Sequence, residues 1–292
     1  MPLQTSDGEI TIREARPEDA AASGQICFDA FAAINQLHGF PCDFPGPEVA
    51  KHVLTMMFSH PHFYCIVAET KGRIVGSNCL DERSPIAGVG PITIDPETQN
   101  RGIGRMLMQA VLTRASEQRF VGVRLVQAAF HNRSLSLYAS LGFDVREPLS
   151  CVQGRTLIRT VPGCNVRAAR AEDLAACNEL AQQVHGFHRS REIEEGIEHG
   201  TALVVERGKR ITGYASSLGF FGHATAETNL DLQALFTSVE SFGGPGILVP
   251  SRNSAFLRWC LANGLRVVQP MTLMSLGLYN EPSGSWIPSI SY

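Results

Sequence analysis

Two glycines and two arginines stand where an apolar helical pattern begins. Gly102 and Gly104 lie in the stretch QNRGIGRML, and from Ile103 onwards apolar residues recur at intervals of three and four. A glycine has no side chain, so a ligand can approach the backbone N–H groups, and the start of a helix carries a partial positive charge. The stretch therefore predicts a cradle for an anion such as a pyrophosphate, flanked by Arg101 and Arg105.

The segment before this cradle, AGVGPITIDPE, is a buried strand with an interruption. Val89, Ile92 and Ile94 have the spacing of a buried strand, but Gly90 and Pro91 lie between them. Proline removes a donor of the hydrogen-bond ladder, and glycine favours a bulge. We expect this strand to splay from a neighbouring strand directly before the cradle.

Short sequence echoes run through the chain in the same order in both halves. The paired segments are IREARPEDA and VRAARAEDL, LHGF and VHGF, KGRIVG and GKRITG, and SLGF and ANGL. The number of residues that separates two paired segments shrinks along the chain, so the second copy is the shorter one. It lacks the most residues in the interval where the first copy carries QNRGIG. We interpret this as a duplication with domains at 1–150 and 164–292 and a linker at 151–163.

Each copy is predicted to have a mixed α/β fold with a partly antiparallel sheet. A short strand leads into a helix that Pro17 opens, and Phe63 to Leu80 form two strands of a hairpin. Strand, helix, strand, helix and strand follow. Between Gly213 and Gly264 the second copy has no Gly-x-Gly cradle comparable to QNRGIG, so we expect it to have lost the anion site.

Composition favours a small-molecule or protein partner. Of the 292 residues 44% are hydrophobic and 18% charged, and the formal charge is −3 with no Lys/Arg block, which argues against nucleic acid and anionic membranes. No apolar leader and no run of about 18 apolar residues is found, so a cytoplasmic protein is expected. Eight cysteines without C-x-x-C spacing predict neither a disulfide frame nor a metal site.

The glycine segment resembles the cofactor motif of the GNAT superfamily of N-acetyltransferases, Q/R-x-x-G-x-G/A after a bulged strand, through Gln99, Gly102 and Gly104. The resemblance implies a tandem GNAT protein, each copy a twisted, mostly antiparallel sheet flanked by helices. It also implies acetyl-CoA as co-substrate and no metal. The implied acetyl-CoA residues on the strand and cradle are Ile92, Thr93, Ile94, Gln99, Asn100, Arg101, Gly102, Ile103, Gly104 and Arg105.

A second GNAT motif, N-x-x-A-x-x-L-Y-x-x-x-G-F, is similar to HNRSLSLYASLGF through Leu137, Tyr138 and the Gly-Phe pair. This sequence departs from it because His131 occupies the asparagine position and Asn132 follows one place late. The resemblance implies that His131 or Asn132 reaches the pantetheine arm and that Tyr138 also contacts acetyl-CoA.

The resemblance implies direct attack of a primary amine on the thioester in a ternary complex. Tyr138 is then the proton donor to the leaving thiolate, although its helical spacing equally fits a core tyrosine. A base must take a proton from the amine, and Asp81, Glu82 and His131 are the candidates. Each of these also fits an ordinary solvated position at the end of a strand or in a turn.

The loop NQLHGFPCDFPGPE is predicted to line an acceptor pocket through His38, Asp43 and Phe44, because loops on rigid scaffolds carry specificity. A proline-stiffened connection fits equally well. The acceptor is a small-molecule or peptide amine, and polyamine, amino acid, aminoglycoside and protein lysine all stay open. The alternative function is a non-catalytic acyl-CoA sensor. The second copy would shape the substrate cleft or serve as an internal dimer partner, and homo-oligomers stay open.

Overall fold

The computed structural model describes residues 4–5, 8–156 and 158–291. In the first half of the chain the helices are α1 (Ala20–His38), α2 (Pro47–Ser59), α3 (Ile103–Glu117) and α4 (Asn132–Ser140). The strands are β1 (Gln4–Thr5), β2 (Gly8–Glu9), β3 (Thr11–Glu14), β4 (Phe63–Thr70), β5 (Arg73–Asp81), β6 (Ile86–Val89), β7 (Thr93–Ile94), β8 (Gly122–Ala128) and β9 (Asp144–Gln153).

The second half repeats this order of elements with a shorter middle part. Its helices are α5 (Leu174–His185), α6 (Ser190–Glu198), α7 (Asn229–Phe236) and α8 (Ser254–Ala262). Its strands are β10 (Asn165–Ala168), β11 (Leu203–Arg207), β12 (Arg210–Ala215), β13 (Ala224–Ala226), β14 (Ile247–Pro250), β15 (Arg266–Gly277) and β16 (Ser285–Ile287). The mixed α/β fold with mostly antiparallel sheets is confirmed.

Two large sheets form the framework. A five-stranded antiparallel sheet has the order β10-β11-β12-β13-β16, and a nine-stranded sheet has β14-β9-β15-β8-β6-β5-β4-β3 with β7 beside β5. The predicted hairpin is β4 and β5, which pair from Phe63 with Asp81 to Thr70 with Arg73. Helices flank both sheets and bury separate apolar clusters, as the periodicity of their sequences requires.

The two halves exchange their last long strands. Strand β15 of the second half lies between β8 and β9 of the first, and β9 lies between β14 and β15. The second half thus adds β14 and β15 to the nine-stranded sheet of the first half, and residue 150, where the first domain was predicted to end, lies inside β9. The exact domain boundaries stay a prediction, but the shared sheet makes the halves one structural unit.

The same network of ion pairs occurs once in each half, which supports the duplication. Arg13 donates to Asp19 at 2.6 Å and to Glu69 at 2.8 Å, and it ties the first strand to the start of α1 and to β4. The Asp19 carboxylate also accepts the backbone N–H of Arg16. The same network recurs in the second half through Arg167, Asp173, Glu206 and Arg170.

The positions of the sequence echoes also match in backbone conformation. Gly39 after α1 and Gly186 after α5 are both left-handed, with φ of 72° and 83°, and so are Gly142 and Gly264 with 93° and 86°. Glycine adopts this region without steric cost, which explains why these residues recur. All eight cysteines are free. Among the described residues no helix is long and apolar enough to cross a membrane.

Candidate functional site

The interrupted strand splays as its sequence predicts. Strand β6 pairs in parallel with β8 over residues 86–88, whereas β7 pairs with β5. Between the two pairings, Leu80 to Val89 and Ser77 to Thr93, β6 and β7 use one residue more than β5, which is a bulge at Gly90 to Ile92. Beyond the bulge β7 and the end of β8 therefore lie apart, and a cleft opens between them.

A cavity of about 490 Å³ occupies this cleft. Its walls are the end of β8, the bulged strand, the start of α3, helix α4 and the C-terminal part of α1 with the following loop. The second half closes one side with Phe220, Phe221, Met271 and Ile290. The volume lies in the usual range for small-ligand sites, and the lining is mostly apolar with few polar groups.

Helix α3 begins at the cavity without a side-chain cap. Gly102 precedes it in the left-handed region with φ of 82°, and no side chain of the described residues accepts a hydrogen bond from the first turn. The N–H of Met106, which donates to Gly102 O at 3.1 Å, is the first one bonded within the helix. The earlier N–H groups have no helical acceptor and are available to an anion.

The second glycine of the cradle serves packing. A Cβ on Gly104 would lie 3.3 Å from Ile94 Cδ1 and 3.5 Å from Leu137 Cδ2. The first turn of α3 can therefore lie close against β7 and α4 because residue 104 has no side chain. The sequence interpretation treated both glycines as ligand-facing, and the structure gives Gly104 this additional role.

Two arginines flank the open helix start. Arg105 donates to Ser140 Oγ at 2.6 Å, and Arg133 donates to Gln99 Oε1 at 2.9 Å and to Asn100 Oδ1 at 3.2 Å. Gln99 donates in turn to the carbonyl of Ile94 at 3.2 Å, which fixes the loop to β7. Arg133 lies on α4 and was missed in the sequence, since the resemblance assigns no role to its position.

A polar chain leads from the cavity to Tyr138. The Tyr138 side chain is buried in the core and also lines the cavity, so both sequence interpretations describe it. Burial raises the pKa of Tyr138 to about 12, although its hydrogen bond with Ser134 opposes this. Ser134 Oγ lies 2.7 Å from His131 Nδ1. Burial and the positive charge of Arg133 lower the pKa of His131 to about 4, so the ring is neutral at pH 7.

The carboxylates proposed as bases lie outside the cavity lining. Asp81 accepts two hydrogen bonds from Arg83, at 2.9 and 2.5 Å, and Glu82 accepts two from Arg114, at 2.8 and 3.1 Å. Arg83 also bridges to Glu195 of the second half at 2.6 Å. These ion pairs connect structural elements, and they give the two carboxylates a positioning role in the fold.

Three further predicted residues also lie outside the cavity lining. Asn132 is exposed at the start of α4, and His38 contacts the ring of Phe130 with 5.3 Å between ring centroids. Arg101 is half-buried beside the cradle. Of the predicted site residues, the cavity lining comprises Ile92, Thr93, Ile94, Gln99, Asn100, Gly102, Ile103, Gly104, Arg105, His131, Tyr138, Asp43 and Phe44.

Buried polar groups face the cavity without a partner of their own. Asn35 Nδ2, Thr93 Oγ1 and both amide atoms of Gln127 make no hydrogen bond with the described residues. The exposed fractions of these side chains are 1%, 3% and 6%. Leaving such groups unsatisfied costs free energy, which favours a site that a polar ligand completes. Asn35 and Gln127 were missed because helix and strand periodicity assigns them to ordinary element interiors.

The equivalent helix of the second half begins differently. Helix α7 starts at a capping box in which the Asp231 carboxylate accepts the N–H of Thr228 at 3.1 Å and its hydroxyl at 2.6 Å. Asp231 also bonds Thr212 at 2.6 Å and Arg207 at 3.0 Å. An internal carboxylate thus occupies the helix start, which fits the expected loss of the anion site.

Comparison with known proteins agrees with this geometry. Residues 31–143 match the Acetyltransferase (GNAT) family. The mycothiol acetyltransferase of Nocardia farcinica is 38% identical over 63 residues, which are 22% of this chain and 21% of that protein, so the chain spans about a fifth of this curated relative.

Solved structures share the fold over nearly the whole chain. A proposed acetyltransferase from Pyrococcus horikoshii superposes with a TM-score of 0.74 and 19% identity over 96% of this chain and 93% of its own. A tandem GNAT protein from the clavulanic acid biosynthesis pathway superposes with a TM-score of 0.57 and 15% sequence identity, over 92% of this chain and 98% of that protein's chain. The bulged strand and the uncapped helix start both lie within residues 31–143, the part of this chain that matches the GNAT family.

Proposed function

We propose that this protein transfers the acetyl group of acetyl-CoA to a primary amine in a ternary complex. The observation that carries the proposal is the uncapped start of α3 beside a cleft opened by the bulge between β6 and β7. The helix start suits a phosphate and the cleft suits an extended arm with its acyl group. The family match over residues 31–143 supports the same assignment.

The residues of the cradle would hold the diphosphate through backbone N–H groups at Gly102, Ile103 and Gly104. Arg105 and Arg133 would add positive charge at its rim. Acetyl-CoA supplies the acyl group as an activated thioester. The cavity walls exclude water, which favours attack by the amine over hydrolysis.

The proton donor in this proposal is Tyr138. Its raised pKa keeps a proton on the hydroxyl throughout the neutral range, and the hydroxyl can donate that proton to the leaving sulfur as the bond from carbon to sulfur breaks. Ser134 and His131 hold the hydroxyl in position by a short polar chain. The amine loses one proton as its nitrogen forms the new bond to the acyl carbon.

The second half would act as the supporting partner of an internal dimer. It closes the cleft and supplies β15 to the sheet that carries the cavity. A chain cut after residue 154 would leave β9 and β8 without their shared neighbour β15. We expect such a fragment to be insoluble or inactive, and a soluble, fully active fragment would contradict this role.

Calorimetric titration and a CoA-release assay test the function. Titration with acetyl-CoA should give one site per chain, since the described part of the second half offers a helix start closed by Asp231. Release of CoA, followed with a thiol reagent, should depend on an added amine. Binding without turnover of any amine in a broad panel would instead indicate an acyl-CoA sensor, and absence of binding would refute the assignment to acetyl-CoA.

A further inference from the structure

One carboxylate lines the cavity in the part of the chain that the structure describes. Asp43 lies in the loop between α1 and α2, half-buried, and its side chain faces the lining formed by both halves. The two other charged side chains of the lining are Arg105 and Arg133, and each is hydrogen-bonded beside the start of α3. Negative charge is thus confined to one position of a mostly apolar cavity.

A residue of the second half holds this carboxylate. Gln269 on β15 donates its amide N–H to Asp43 Oδ1 at 2.8 Å. The exposed fraction of Gln269 is 2%, so its own position is fixed by the surrounding sheet. Since β15 reaches this point through the strand exchange, the contact exists because the halves share one sheet.

The surroundings of Asp43 are aromatic and aliphatic. Phe44 contacts Phe31 edge to face with 5.9 Å between ring centroids, and the second half adds Phe220, Phe221 and Met271 to the same lining. Burying a second ammonium or a carboxylate against such a wall would be costly without a partner of opposite charge. A single carboxylate with an apolar wall therefore selects one positive charge on an apolar body.

We propose that Asp43, positioned by Gln269, binds the acceptor amine and takes its proton, and that the acceptor is a small arylalkyl primary amine. This inference rests on the proposed acetyl transfer. In the step, the ammonium gives one proton to the Asp43 carboxylate, and the neutral nitrogen attacks the acyl carbon. After attack the nitrogen loses its second excess proton to solvent, while the thiolate receives one from Tyr138.

The test compares 2-phenylethylamine with L-phenylalanine, which adds a carboxylate to the same frame, and with 1,4-diaminobutane, which carries a second ammonium in place of the aromatic ring. The value of kcat/KM for 2-phenylethylamine should exceed those of the other two by about tenfold or more. Its binding in the presence of CoA, measured by calorimetry, should be detectable. No binding of 2-phenylethylamine, or preference for either of the other amines, would overturn the inference and leave acetyl transfer in place.

Two variants assign the roles. Asp43→Asn should lower kcat/KM for 2-phenylethylamine by about 100-fold with unchanged affinity for acetyl-CoA. Asp144→Asn, an exposed carboxylate on β9, is the matched control and should keep wild-type activity. Activity of Asp43→Asn within about twofold of wild type would overturn the inference. If the wild-type protein does not bind acetyl-CoA, the proposed function itself is refuted.

Gln269→Leu separates positioning from simple packing. Burial raises the pKa of Asp43, and the nearby amides of Gln269 and Asn35 oppose this rise. Loss of the Gln269 amide should therefore move the acidic limb of the kcat/KM profile to higher pH and lower the plateau by about tenfold. The thiols that face Asp43, Cys27 on α1 and Cys151 on β9, stay neutral because burial raises their pKa, for Cys151 to about 12. A lower melting temperature with an unmoved limb would overturn the positioning role.

Discussion

The starts of α3 and α7 occupy equivalent places in the two halves but differ in the side chains that meet their N-terminal N–H groups. In the first half the helix begins at a left-handed Gly102 without a side-chain cap, and in the second Asp231 closes the helix with its own carboxylate. The Asp231 carboxylate places negative charge where the helix dipole favours it, and the phosphate proposed to bind at α3 would do the same. In this proposal the second half keeps the helix but replaces the bound anion by a carboxylate of its own chain.

The largest expected effect comes from closing the open helix start. Gly102→Glu adds a negative charge where phosphate is proposed to bind, and acetyl-CoA affinity should fall by more than about 100-fold in calorimetry. Leu230→Glu, which adds the same charge at the exposed start of α7, should leave affinity unchanged.

Since residue 102 has a positive φ, Gly102→Asn serves as a second variant that tolerates this backbone conformation without adding charge. It should remain folded and weaken binding less. Equal losses for Gly102→Glu and Leu230→Glu would mean that the two helix starts do not differ in the proposed way.

The next largest effect is expected from helix α4, where Tyr138 corresponds to the buried Cys260 of helix α8 in the second half. Tyr138→Phe should lower kcat by about 100-fold at unchanged acetyl-CoA affinity, because the variant lacks the proton donor. Cys260→Ala should change stability and leave kcat unaltered.

The pH profile adds a further check on Tyr138. With a pKa of about 12 the hydroxyl stays protonated up to about pH 10, so the wild type should show no fall in kcat from this group at lower pH. A variant with wild-type kcat and a lower melting temperature would make Tyr138 a core residue.

Removal of the internal carboxylate should affect stability and not binding. Asp231→Ala leaves Thr212, Thr228 and Arg207 without their common acceptor, so the free energy of unfolding should fall by about 2 to 3 kcal/mol in denaturant titration. Glu172→Ala, which removes an exposed ion pair, should cost less than about 0.5 kcal/mol. Unchanged stability of Asp231→Ala, or a second acetyl-CoA site, would contradict the comparison.

The smallest expected effect is the change in stability on replacing Asp43, which distinguishes a carboxylate that serves function from one that stabilises the fold. Burial raises the pKa of Asp43, so ionising this carboxyl costs more free energy in the folded than in the unfolded chain, and the stability that its protonated form contributes is present below the unfolded pKa of about 4 and is lost as pH rises through the folded pKa. Asp43→Asn should therefore gain stability relative to wild type as pH rises above about 4, by less than about 1 kcal/mol. A large loss at every pH would make Asp43 structural, like Asp231.

Local patterns predicted the parts of the site that lie close together in the chain. The bulge at Gly90 and Pro91, the helix from Ile103 and the cradle at Gly102 follow from residues whose conformational preferences act within a few positions. The duplication could also be recognised in the sequence, because the paired short segments adopt the same backbone conformation in both halves and therefore keep the same residues. The Arg13–Asp19 pair and its counterpart Arg167–Asp173 show that the same short sequence forms the same ion pair in both halves.

The sequence by itself determined the fold of each half and the open start of α3, since periodicity, turn residues and glycine conformations are local properties. The tertiary structure decided which acidic residues reach the cavity: Asp81 and Glu82 pair with arginines, and Asp43 turns inward. It also decided that Gln269, 226 residues away, holds Asp43. Strand exchange brings them together, and no local preference encodes whether β15 pairs with strands of its own half or with β8 and β9 of the other.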